Sequence, residues 1–138
     1  MAHTCSTLII TCMDFRLGEP IYNFAKEQGI SKDYDLIAMA GGIKNLVKPN
    51  NLTDVDLMFK QIDVSANLHS VKNVIIVNHE DCGAYGGKKA FENDAAEERT
   101  HMEDMEKAKQ MILEKYPNLE IKIYYASLAE DGHGFSIK

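Results

Sequence analysis

The chain has 138 residues, of which 45% are apolar, and a formal net charge of −6. This length suits one hydrophobic core, so we predict a single domain over residues 1–138. The acidic balance, with no stripe of Lys and Arg, argues against nucleic-acid and membrane-surface partners. No apolar run reaches the ~20 residues of a membrane span, and no secretory signal pattern opens the sequence. We therefore expect a cytoplasmic protein whose three cysteines stay reduced and available as ligands.

Four short runs of apolar and β-branched residues predict strands that are buried on both faces of a sheet. They are residues 8–12, 36–40, 74–77 and 121–126. Segments with helical periodicity lie between them. These are residues 19–28, ended by Gly29; 53 to about 70, N-capped by Thr53; and 94–116. The alternation predicts an α/β fold with a mainly parallel central sheet of about four strands and helices on both faces.

The remaining segments predict loops. Residues 44–51 carry Pro49 and three asparagines, and residues 83–87 are rich in glycine. The tail from Asp131 has too few periodic residues for an assignment. In the last helix, the acidic residues between 97 and 106 predict a solvated face. The packed face of that helix is predicted to carry Met102, Met105, Ala108, Lys109 and Ile112.

Three unusual sequences follow three of the predicted strands. They are Cys12-Met13-Asp14-Phe15-Arg16, Ala40-Gly41-Gly42 and His79-Glu80-Asp81-Cys82-Gly83. Because parallel strands place their carboxyl ends at one edge of the sheet, we expect Cys12 to meet His79 and Cys82. Two thiolates and one imidazole suit zinc and leave a fourth tetrahedral position open. We predict that these three residues bind one Zn²⁺ ion.

Asp14 follows Cys12 by two residues, and its role has several alternatives. Beside a metal, its carboxylate can accept the proton of a bound hydroxide and orient it, while Arg16 holds the carboxylate bidentately. As a fourth ligand, Asp14 would instead close the site. Asp14 and Arg16 could also be a surface ion pair. Without metal, Cys12 and Cys82 could oxidise to a disulfide, which would indicate a redox function.

The other cysteine and histidines are interpreted as having no role in this site. Cys5 precedes the first strand, where we expect no polar partner nearby, and a free cysteine often behaves as a small hydrophobic residue. We expect the four histidines outside the motif to be solvated or structural. They are His3, His69, His101 and His133.

The motifs resemble those of the β-class carbonic anhydrases, which carry Cys-x-Asp-x-Arg after the first strand and His-x-x-Cys-Gly after the third. The run from Leu8 to Asp14 is especially similar to the small, archaeal-type members, and the similarity extends to about Gly83. The resemblance implies an α/β zinc enzyme, a lyase that hydrates carbon dioxide reversibly to bicarbonate, with zinc-bound hydroxide as nucleophile.

By the same resemblance, particular residues acquire roles. Cys12, His79 and Cys82 are the implied zinc ligands, and Asp14 and Arg16 are the implied catalytic dyad. The implied substrate is a small molecule, and the implied assembly is a homodimer or a larger homo-oligomer.

Four positions depart from the family pattern, and they lie on the substrate side of the site. Phe15 replaces a small polar residue and would either narrow the pocket or turn outward. Met39, Gly42 and Asn78 replace residues that are usually Asn, Asn and Gly. The departures keep two alternatives open: a zinc hydrolase for another cumulated substrate, such as carbonyl sulfide or carbon disulfide, and a non-catalytic zinc-binding regulatory module.

Overall fold

The computed structural model describes residues 3–132 and 134–138. One sheet of five strands forms its centre, in the order β2-β1-β3-β4-β5. The strands are Thr7–Thr11 (β1), Tyr34–Ala38 (β2), Asn73–His79 (β3), Glu120–Leu128 (β4) and Phe135–Ile137 (β5). The first four are parallel and β5 is antiparallel to β4. The mainly parallel α/β fold that the sequence predicted is confirmed.

Helices cover both faces of this sheet. They are Gly18–Glu27 (α1), Lys44–Val47 (α2), Leu52–Asn67 (α3) and Asp94–Lys115 (α4). The side chains of β1 alternate between the faces. Leu8 and Ile10 pack in the core beneath α2, α3 and α4, whereas Ile9 packs in the core beneath α1. None of the helices in the described part of the chain is long and apolar enough to cross a membrane.

Three local features differ from the sequence prediction. The predicted loop at 44–51 contains the single-turn helix α2, which buries Leu46 and Val47 but is too short to show periodicity. Asn51 rather than Thr53 caps α3, because its extended backbone lets its side chain accept a hydrogen bond from the Asp54 N–H. The unassigned tail supplies β5, and His133 lies outside the described residues.

The prediction of a solvated acidic face on α4 was wrong at two positions. Glu97 and Asp104 are buried, with 1% and 5% of their surface exposed, and His101 is buried between them. Met102, which we placed on the packed face, is exposed. Helix α4 therefore turns a partly polar face toward the sheet, and hydrogen-bond partners there replace water.

Helix α3 offers a matched pair of positions for testing the core. We expect Ile62→Ala to lower the free energy of unfolding by about 2–4 kcal/mol, since Ile62 is fully buried and its truncation leaves a cavity. The control is Val64→Ala on the same helix, where 44% of the side chain is exposed and the change should stay within about 0.5 kcal/mol. Urea unfolding measures both variants, and equal losses would contradict the packing described here.

Candidate metal centre

Cys12 lies directly after β1, beside a glycine pair in the turn that follows β2. The Gly41 N–H donates to Cys12 Sγ at 3.3 Å. Gly42 has φ +53°, and a Cβ there would lie 3.2 Å from the backbone carbon of Thr11. The turn therefore favours glycine at this position, both for its left-handed backbone conformation and for the close approach to β1.

His79 ends β3 and is fully buried. Its Nδ1 lies 2.8 Å from the Glu80 carbonyl oxygen, and since a carbonyl can only accept, Nδ1 must donate. In the neutral ring, this hydrogen bond selects the tautomer that carries its proton on Nδ1 and leaves the Nε2 lone pair free. Among the described residues, Nε2 has no hydrogen-bond partner. A buried imidazole nitrogen with a free lone pair has the form of a metal ligand.

Cys82 completes the group of donor atoms. It is buried, and its carbonyl accepts hydrogen bonds from the N–H groups of Tyr85 and Gly87, which folds the following 3-10 turn beneath it. The ligand atoms of Cys12, His79 and Cys82 all lie within 4.8 Å of one another. The structure thus brings together the three predicted donors, and their sulfur and nitrogen atoms fit the preferences of zinc.

The two thiols are close enough to influence each other's ionisation. The pKa of Cys12 is lowered, chiefly because Cys82 donates a hydrogen bond to its thiolate. The pKa of Cys82 is raised for the same reason, because its proton is held by Cys12. Without a cation the pair therefore keeps one proton. A divalent metal would take the place of that proton and stabilise both thiolates.

Asp14 and Arg16 form a bidentate pair beside the three donors. Arg16 Nε and Nη2 donate to the two oxygens of Asp14 at 3.0 and 2.8 Å, and the Arg16 backbone N–H donates to Oδ1 at 2.9 Å. These Arg16 hydrogen bonds lower the pKa of Asp14 to about 2. Asp14 Oδ2 lies 3.9 Å from His79 Nε2. The carboxylate is thus ionised, oriented and adjacent to the donor atoms.

Asp81 is a second partner of Arg16 that the sequence interpretation missed. Its Oδ2 accepts from Arg16 Nη1 at 3.2 Å, and its carbonyl oxygen accepts from Nη2 at 3.1 Å. Its backbone has φ +60°, and its N–H donates to the buried carboxylate of Glu97 at 2.7 Å. Asp81 thereby fixes the guanidinium that holds Asp14. The position of Asp81 within the His-x-x-Cys motif could have indicated its role. Glu97 is distant in sequence, and no local pattern links it to the site.

Asn78 faces a buried polar layer. Its side-chain N–H donates to His101 Nδ1 at 2.9 Å and to the Tyr85 hydroxyl at 3.3 Å. Tyr85 in turn donates to Asp104 at 2.8 Å, and Lys48 forms an ion pair with Asp104. The asparagine side chain therefore fills space between the sheet and α4 and does not enter the donor cluster.

The Phe15 side chain turns outward and does not narrow the pocket, and these were the two possibilities that the sequence left open. Its side chain is 91% exposed, and the Arg16 guanidinium carbon lies 5.9 Å from its ring centroid. A groove of about 960 Å³ runs past Phe15, Arg16 and Phe135. Cys12, His79 and Cys82 do not line that groove, so it borders Arg16 and not the donor cluster itself.

The family model described as "Putative carbonic anhydrase" matches residues 2–131. The chain belongs to this carbonic anhydrase family. An uncharacterized protein of Rickettsia bellii is 32% identical over 130 residues, covering 92% of this chain and 78% of that protein. One of Rickettsia conorii is 28% identical over 130 residues, with coverages of 92% and 69%.

Solved structures of β-carbonic anhydrases share the fold. That of Aspergillus fumigatus superposes with a TM-score of 0.60 at 15% identity, covering 99% of this chain and 76% of the other. Isoform I of Trichomonas vaginalis gives a TM-score of 0.53 at 18% identity, with coverages of 99% and 83%. The resemblance that the motifs indicated is therefore confirmed for the family and for the fold.

The buried His101 predicts an acid sensitivity of folding for this carbonic anhydrase homologue. Burial lowers the pKa of His101 from 6.5 to about 4. The unfolded chain then binds more protons below pH 6.5, so stability is complete above this pH and falls as the pH drops toward 4. The loss from this residue is on the order of 3 kcal/mol.

Urea unfolding of metal-free protein between pH 7 and pH 4 measures this loss. His101→Gln keeps an acceptor for Asn78 and removes the titrating ring, so its stability should depend less on pH. Identical pH profiles for the two proteins would contradict the assignment.

Proposed function

We propose that this protein catalyses the reversible hydration of carbon dioxide to bicarbonate with a zinc ion held by Cys12, His79 and Cys82. The observation that supports this most strongly is the buried His79 Nε2, which has no partner in the described part of the chain and lies beside two buried thiols. When bound, zinc supplies Lewis acidity and lowers the pKa of a coordinated water. Family membership supports the reaction.

Asp14 and Arg16 are the proposed catalytic dyad. Asp14 is ionised at neutral pH and can accept a hydrogen bond from a hydroxide beside the donor cluster, thereby orienting its lone pair. Arg16 holds both Asp14 oxygens, and Asp81 fixes Arg16 from the other side. This double restraint limits rotation of the carboxylate. It also supports Asp14 as a positioned hydrogen-bond acceptor in preference to a fourth metal ligand.

The alternative functions receive less support. The alternative substrates carbonyl sulfide and carbon disulfide depend on altered pocket surroundings at Phe15 and Met39, but Phe15 is exposed and Met39 packs against the core beneath α2 and α3. A closed, non-catalytic zinc module needs Asp14 as a ligand, whereas its carboxylate is engaged by Arg16. Homo-oligomeric assembly and a cytoplasmic location stay predictions.

Stopped-flow hydration of carbon dioxide by zinc-loaded protein tests the proposal. We expect activity that is higher at about pH 9 than at about pH 7, because a metal-bound water typically loses a proton in this range. Asp14→Asn keeps the shape and removes the charge, and activity should fall by roughly 10- to 100-fold or more, with zinc retained. The control is Asp56→Asn, an exposed carboxylate on α3, which should leave the rate unchanged.

The negative outcomes distinguish the alternatives. A protein that retains zinc in a Cys12-dependent manner but hydrates no carbon dioxide at either pH would overturn the proposal. Turnover of carbonyl sulfide or carbon disulfide by that protein would then indicate the alternative hydrolase. Inactivity on every such substrate would indicate a binding or regulatory module.

A further inference from the structure

A second group of potential metal ligands lies at the opposite edge of the sheet. Cys5 precedes β1, Asp35 is the second residue of β2, and His69 follows α3. Their ligand atoms all lie within 4.8 Å of one another, and all three residues are partly buried. Because Asp35 pairs in register with Leu8 near the start of β1, this group sits at the amino ends of the parallel strands. It is therefore separate from the candidate centre at the carboxyl ends.

Backbone and side-chain hydrogen bonds hold the three residues together. The Cys5 N–H donates to the His69 carbonyl at 3.1 Å, which joins the segments that carry the thiol and the imidazole. His69 Nδ1 lies 2.7 and 2.9 Å from the two oxygens of Asp35. The sequence interpretation of Cys5 as a cysteine without polar neighbours was wrong, because these neighbours come from distant parts of the chain.

A buried hydroxyl orients the carboxylate from behind. Ser65, on α3, is 2% exposed, and its Oγ donates to Asp35 Oδ2 at 2.7 Å. Residues that ligate metals commonly have such outer partners, which fix the direction of the ligand atom. Asp35 is thus held between an imidazole and a hydroxyl, and its ligand oxygen lies within 4.8 Å of the Cys5 sulfur.

We propose that Cys5, Asp35 and His69 form a second binding site for a divalent transition metal of the zinc type. One thiolate, one imidazole and one carboxylate form a mixed S, N, O set that favours zinc and its neighbours over calcium or magnesium. The fourth position falls to water or to His3, whose ring centroid lies 5.1 Å from that of His69. The site is distinct from the one used by the proposed function and does not depend on it.

Binding requires a small rearrangement and the loss of the thiol proton. Two ligands about 2.1 Å from one tetrahedral ion are about 3.4 Å apart, so the Asp35 oxygen and His69 nitrogen must separate by less than about 1 Å. The ion takes the place of the hydrogen bond between these two groups, and the neutral imidazole carries its proton on the nitrogen that does not bind the ion. Cys5 loses its thiol proton to solvent, so the products are the bound ion and one released proton.

A simple Asp35 and His69 ion pair is the competing explanation, and it gives Cys5 no function. The two explanations differ in metal stoichiometry. The full chain, reduced and stripped of metal, is titrated with Zn²⁺ in competition with a chromophoric chelator. We expect two equivalents for the wild type and one for each of Cys5→Ser and His69→Gln. The reciprocal variant Cys12→Ser should lose the other equivalent and retain the one at Cys5.

Cobalt provides an independent readout that needs no variant. With two equivalents of Co²⁺ bound, the sulfur-to-cobalt charge-transfer absorption should correspond to three thiolates. Two of them bind the ion at Cys12 and Cys82, and the third binds the ion at Cys5. The proposal is overturned if Cys5→Ser and the wild type bind the same number of ions, or if wild-type cobalt absorption accounts for only two thiolates. If the centre at Cys12 binds nothing, the wild type still takes one equivalent that Cys5→Ser loses, so the two proposals fail separately.

Discussion

The pairing of β1 with both β2 and β3 is the constraint on which the rest of the structure depends. β1 is buried on both faces and hydrogen-bonded along both edges, so its ends are fixed relative to its neighbours. The Thr11 hydroxyl adds a bond to the Val77 carbonyl at 3.0 Å. Cys12 therefore emerges next to the glycine turn that follows β2 and next to His79 at the end of β3. The donor cluster is a direct consequence of strand register.

Buried polar side chains on α4 support the candidate metal centre from below. Glu97, His101 and Asp104 project from α4 toward the sheet, where an apolar stripe would be usual. Each contacts a residue in or beside the segment from Asn78 to Tyr85. Burial of these groups is costly unless partners replace water, and the partners are the residues that shape the site. Helix α4 thus restrains the loop that carries Cys82 and Asp81.

The two edges of the sheet carry donor sets of different character. The carboxyl edge has two thiols and an imidazole that are almost fully buried, together with a restrained carboxylate and guanidinium. The amino edge has one thiol, one imidazole and one carboxylate that remain partly exposed. Burial of the first set lowers the local dielectric constant and so strengthens electrostatic interactions among its members. The second set keeps partial contact with solvent, which weakens such interactions.

The sequence determined the parallel α/β architecture and the convergence of Cys12, His79 and Cys82. Buried strands and helical periodicity are local signals, and parallel topology places their consecutive carboxyl ends together. Short elements were not predictable, because a single turn such as α2 or a three-residue strand such as β5 has no period to detect.

Long-range partners were decided only by the tertiary structure. The burial of Glu97, the restraint of Arg16 by Asp81 and the meeting of Cys5 with Asp35 and His69 all depend on contacts between segments far apart in the chain. An acidic residue on a helix has the same local pattern whether it faces water or the N–H of Asp81. Only packing shows which partner replaces the solvent, because desolvation and hydrogen bonding act through space and not along the sequence.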